Sequence, residues 1–159
     1  MSRILLFTDG SVNTQSKVGY GAYMNVNEDE PFDAAKLPSV HVKMFEQTSS
    51  TKLEIQTLLW ALEEVKGFAD EIVIYTDSQN IISLPNRKER FEHNGYITHQ
   101  KKLHEHTVLY KAFYRMMDEL KCSLVKVKGH KLAADKDNID RYFTLVDRAS
   151  REALRKSGF

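Results

Sequence analysis

Two short stretches constrain this chain more than anything else in it. "RILLFTD" at residues 3–9 and "EIVIYTD" at 71–77 are β-prone apolar runs, and each closes on Thr-Asp. Runs of this length and composition read as buried strands. If the two strands are parallel neighbours, Asp9 and Asp77 emerge side by side at one sheet edge. Taken singly, each aspartate has a plainer use. Asp9-Gly10 is turn chemistry, and Asp77-Ser78 before an apolar segment is a helix cap.

The rest of the chain supplies elements for one sheet. "GYGAYMNV" (19–26) and "VHVKMFEQ" (40–47) are also β-prone, and turn residues separate them, which predicts an antiparallel meander. Residues 53–65 switch to helical spacing, with Leu58, Ala61, Leu62 and Val65 on one face. A short helix follows Asp77, then a polar loop. Residues 108–120 are helical, 123–130 form a strand ending in Gly129-His130, and 138–156 are helical again. The order β-β-β-α-β-α-α-β-α predicts a mixed sheet with helices packed on it, a single α/β domain over residues 1–159. A length of 159 residues suits one core. The single cysteine excludes an internal disulfide. No apolar run is long enough for a bilayer, and the start lacks a secretory signal, so a cytoplasmic address and no membrane partner are expected. The net charge of +1 excludes an overall basic field, but the halves differ. Residues 1–70 hold 6 Lys/Arg against 10 Asp/Glu, and residues 71–159 hold 17 against 12. That asymmetry allows an acidic site and a separate polyanion track.

Two further carboxylates draw attention. Glu54 fits a capping box with Thr51. It also stands in line with Leu58, Ala61 and Val65, where a buried carboxylate is costly unless paired or bound to a cation. Asp147 flanks the apolar face of the last helix, where it can pair with Arg151 one turn on. Asp140 lies one heptad earlier on the same stripe, and periodicity does not choose between them. Gathered at one pole of a sheet, such carboxylates repel, and a hard divalent cation such as Mg²⁺ or Mn²⁺ is the usual relief.

With these residues in view, the sequence resembles type I ribonuclease H. The matching segments are "FTDGS" with "GYGAY", "SSTKLEIQTLLWAL", "IYTDSQN", "VKVKGH" and "VDRASREAL", in the family's order over nearly the whole chain. The resemblance implies a ribonuclease H-like fold: a five-stranded mixed sheet, an antiparallel meander followed by parallel strands, with helices on both faces. It implies a metal-dependent endonuclease that hydrolyses the RNA strand of RNA/DNA hybrids to 5′-phosphate and 3′-hydroxyl ends. Asp9, Glu54, Asp77 and Asp147 would hold two Mg²⁺ ions, with Mn²⁺ a possible substitute, and His130 would assist proton transfer or product departure. Substrate contacts would come from Gly10, Ser11, Ser50, Thr51 and Gln79. A monomer with no obligatory protein partner is expected.

Three departures from the family pattern matter. Ser50-Thr51 stands where Asn-Asn is common. The fourth carboxylate lies seventeen residues beyond His130 if it is Asp147, whereas Asp140 keeps the family spacing of about ten. Asp147 is preferred because Ala149 and Ala153 after it match the family's closing helix. Residues 85–107 occupy the place of the family's basic handle, yet they are mildly basic and carry Phe91 and Tyr96 rather than tryptophans. Lys126, Lys128 and Lys131 flank Gly129-His130 and suit phosphate contacts. Two alternatives stay open at this level: a nuclease of the same fold acting on DNA, and a non-catalytic nucleic-acid-binding scaffold.

Overall fold

The run that opens the chain becomes the central strand. In the computed structural model, which describes residues 2–98, 104–128 and 137–158, β1 (Arg3–Asn13) lies between two partners. Antiparallel β2 (Val18–Asn27) is on one side, followed by β3 (His41–Phe45). Parallel β4 (Glu71–Thr76) is on the other, followed by β5 (Cys122–Lys126). The order is β3-β2-β1-β4-β5, so both the meander and the expected mixed sheet are present.

Side chains alternate across this sheet, and both sides are apolar. Ile4, Leu6, Ile72 and Ile74 face a core shared with α1 (Ser50–Val65), α2 (Gln79–His93) and α3 (Thr107–Glu119). Leu5, Phe7, Ala22 and Met24 face Tyr142, Phe143 and Val146 of α4 (Asn138–Lys156). Helices therefore cover both faces, which is why β1 reads as an unbroken apolar run rather than an alternating one.

Helix α1 sits unusually close to the sheet, and glycine makes that possible. Gly10 and Gly21 are register partners on β1 and β2. A Cβ added to Gly21 would meet the Thr57 hydroxyl at 2.2 Å, and one on Gly10 would meet Leu53 at 2.9 Å. The "DGS" and "GYGAY" glycines form a seat for the helix that carries Glu54.

Several boundaries differ from the sequence reading. Asp9-Gly10 is not a turn: β1 continues to Asn13, whose side chain accepts from the amides of Gln15 and Ser16 to turn the chain. Helix α1 begins at Ser50, capped by Ser49, whose hydroxyl accepts from the Lys52 amide. A Thr51–Glu54 capping box therefore does not start it. Helix α2 continues through Pro85 to His93, well past the short helix expected. Its buried Leu84 and Phe91, seven residues apart, keep one apolar stripe on the core. Trp60 in the middle of α1 is only partly buried; it packs edge-on against Tyr23 at 4.7 Å, with the Lys43 ammonium 5.8 Å from its ring. Among the described residues no helix is long and apolar enough to cross a membrane.

Candidate active site

Alternation along β1 sends Gly10 toward α1 and sends Asp9 and Ser11 toward α4. The parallel register pairs Phe7 with Tyr75, and two further residues bring Asp9, within β1, level with Asp77, just past the end of β4. The surroundings of Asp9 are hostile to a negative charge. Burial, the Asp77 charge and a hydrogen bond with Asp147 push its carboxyl up to about 8, with the Gly10 amide pulling the other way. Asp147 reaches this point from α4, and Arg151 one turn on meets it from the solvent side at 2.9 Å.

Glu54 arrives from α1. The Ser78 hydroxyl donates to its carboxylate at 2.5 Å, while the Ser78 oxygen accepts from the Ile81 amide and so caps α2. Capping thus falls to Ser78 and not to Asp77. Burial raises the Glu54 pKa, the Ser78 bond opposes that, and the Asp77 charge adds to it. The Asp77 charge thus acts on both Asp9 and Glu54, and Asp147 closes on Asp9.

Asp140, the rival for fourth place, is engaged elsewhere. It forms a capping box with Asp137: its carboxylate accepts from the Asp137 amide at 3.2 Å, and the Asp137 side chain accepts from the Asp140 amide at 2.9 Å. Seven helical residues, about 10 Å along the axis, separate it from Asp147. His130 and Lys131 lie outside the described residues.

The expected substrate-contact residues flank these carboxylates in the chain. Gly10 and Ser11 follow Asp9 on β1, Ser50 and Thr51 lie in the first turn of α1, and Gln79 opens α2. The Lys126 ammonium donates to the Gln79 carbonyl oxygen at 2.6 Å. The described aromatics of residues 85–107 pack inward rather than standing free to stack on bases. Phe91 and Tyr96 stack on each other at 5.4 Å and are buried, with Arg87 over the Phe91 ring. Burial, His106 and Arg87 lower the His104 pKa from its ordinary value.

Two hydroxyls escaped the sequence reading. Ser78 was visible as half of an Asp-Ser cap signal, but its second bond to Glu54 crosses between helices and leaves no local trace. Ser150 is fully buried, in step with Phe143 and Val146 on the face of α4 that meets the sheet. A polar residue at an apolar position was the signal that could have found it.

Four neighbouring carboxylates, with the pKa of Asp9 and Glu54 raised, suit a hard cation. Among the described residues, however, no three His, Cys, Asp or Glu side chains converge tightly enough to hold one ion as they stand. Glu54 is turned to Ser78 and Asp147 to Arg151, so an ion would have to draw them inward.

Sheet order, helix placement and an acidic pole at the ends of the two central parallel strands define a ribonuclease H-like α/β protein. The sequence profile of RNase H matches residues 1–153, and the chain belongs to that family of hydrolases. It is 25% identical to the Ribonuclease H of Syntrophomonas wolfei over 161 aligned positions, covering 99% of this chain and all of that protein. In fold it is similar to the PFV RNase H domain, with a TM-score of 0.75, 16% identity, and 95% and 93% of the two chains covered. RNase H1 of Halobacterium salinarum gives a TM-score of 0.64 at 16% identity, over 97% and 98%.

Proposed function

We propose that this enzyme hydrolyses the RNA strand of RNA/DNA hybrids and leaves 5′-phosphate and 3′-hydroxyl ends. The observation that carries the reading is the crowding at Asp9, a carboxyl pushed up to about 8 by burial and by Asp77 and Asp147 from neighbouring elements. The names of the curated relatives support it. Asp9, Glu54, Asp77 and Asp147 would hold Mg²⁺, as two ions, and Mn²⁺ could substitute. When bound, such ions supply charge stabilisation at the phosphate and a more acidic water.

The chain's own groups do the rest. Strand β1 fixes Asp9, and Ser78 orients Glu54. Ser50 and Thr51 offer hydroxyls that donate and accept, Ser11 offers a hydroxyl oxygen that accepts, Gln79 offers an amide, and Gly10 offers its backbone groups. Groups of that kind at the 2′-hydroxyl distinguish RNA from DNA. His130 would carry a proton at the phosphate oxygens or help product leave. The enzyme would work as a monomer.

The test is cleavage of an end-labelled RNA strand, paired with DNA or with RNA, in Mg²⁺ or in chelator. Wild type should cut only the hybrid and only with metal, and Asp77→Asn should lose about 10³-fold or more in rate while remaining folded. Equal cutting in chelator, or full activity of Asp77→Asn, would overturn the reading.

A further inference from the structure

The hydroxyl of Ser150 makes two contacts that together fix a direction. Ser150 has no exposed surface, and its Oγ lies 3.1 Å from the Ser11 Oγ and 3.0 Å from the Asp147 carbonyl oxygen. A carbonyl only accepts, so the Ser150 proton goes to Asp147. With both contacts kept as hydrogen bonds, the Ser11 hydroxyl is the donor to Ser150. The result is an ordered chain, Ser11 to Ser150 to the backbone of Asp147, joining the strand of Asp9 to the helix of Asp147 beside the carboxylates themselves.

Packing alone does not ask for this hydroxyl. An alanine would fill the same place between Val146 and the sheet, and a buried hydroxyl is costly unless bonded. Back-bonding to a carbonyl three residues earlier also tends to bend a helix at that point, and here the point is Asp147.

We infer that Ser150, through Ser11, is a positioning residue that sets the approach of Asp147 to Asp9 and thereby the affinity of the acidic site for its divalent cation. The inference rests on the proposed metal site. It also commits the Ser11 hydroxyl: with its proton spent on Ser150, its outward lone pairs only accept. Ser11 then takes a hydrogen from whatever donor the substrate presents, and a 2′-hydroxyl is such a donor.

The experiment compares wild type, Ser150→Ala, Ser11→Ala and the double variant. Two quantities are read: the rise in Tm as a function of Mg²⁺ concentration, and the Mg²⁺ needed for half-maximal hybrid cleavage. Ser150→Ala should raise both half-saturating concentrations roughly 10-fold, in line with other groups that orient metal ligands. Its KM for the hybrid at saturating Mg²⁺ should stay within about twofold of wild type, since no substrate contact is removed. Ser11→Ala should show the same metal shift, and the double variant should be no worse than either single one. A lower Tm with an unchanged Mg²⁺ dependence would reduce Ser150 to a structural residue and overturn the inference. So would metal shifts that add in the double variant. If wild type itself neither responds to Mg²⁺ nor cuts, the proposed function fails instead. Amide exchange over residues 147–151 then decides the link: faster exchange in both single variants supports it, and no change ends it.

Discussion

Asp9 concentrates the conflict in this molecule into one carboxyl. Its folded pKa of about 8 against an ordinary value of 3.8 means that, between those pH values, the folded chain keeps a proton that the unfolded chain has released. Stability of the metal-free protein therefore falls as pH rises from about 4 to about 8, the sign expected when the native state binds more protons. Glu54, also raised, contributes in the same direction. Urea unfolding in chelator should give a lower midpoint at pH 8 than at pH 5, and Asp9→Asn should flatten most of that difference. An unchanged slope in Asp9→Asn would remove Asp9 as its source. At this scale the sequence was informative where a carboxylate closed an apolar strand run, because a packed strand is a fixed mount. It was ambiguous on α4, where Asp140 and Asp147 share one stripe and periodicity repeats every seven residues. In the structure Asp140 is held in a reciprocal cap with Asp137, while Asp147 hydrogen-bonds with Asp9.

Helix α1 shows what patterning reads well and what it misses. Its apolar face was visible in the spacing of Leu58, Ala61, Leu62 and Val65, all buried. Its distance from the sheet was not, because that depends on glycines on two other elements. Gly21→Ala should cost about 1–3 kcal/mol, since the new methyl meets the short, β-branched Thr57 rather than a flexible side-chain end. Gly21→Ala with Thr57→Ala should recover part of the loss, and denaturant midpoints of the two variants check this. Equal midpoints for Gly21→Ala and wild type would mean α1 can lift without penalty. Helix α2 was underestimated for a related reason. Pro85 is a reasonable stop signal in a sequence, yet long-range burial of Phe91 against Tyr96 and Tyr110 carries the helix past it.

Across the whole molecule, charge is arranged by position rather than by amount. The net charge is +1, yet the acidic pole and Lys126 at the end of β5 lie close together, with Lys126 paired to Gln79 two residues beyond Asp77. Hybrid binding should therefore weaken with salt. Lys128, exposed just past β5, is placed to touch a phosphate. Lys128→Ala should lower the slope of log affinity against log salt by about 1, without changing the preference for hybrid over duplex RNA. Binding titrations at several salt concentrations read that slope directly, and an unaltered slope would place the phosphate track elsewhere. The architecture itself was largely legible from the sequence, since strand and helix periods alternate cleanly. The aromatic packing at residues 91–110 was not, because a polar-looking segment gave no hint that its rings face inward.

The gathered carboxylates come from positions 9, 54, 77 and 147, each on or just beyond a different element of the fold. No partial assembly of the chain contains the site. A molecule whose last helix has peeled away still has its sheet, but only three of the four oxygen donors, and the cluster's mutual repulsion favours that opening when no cation is present. The same ion that would serve the chemistry would thus also act as the clasp that closes the fold, making catalytic competence and structural completeness one checkpoint.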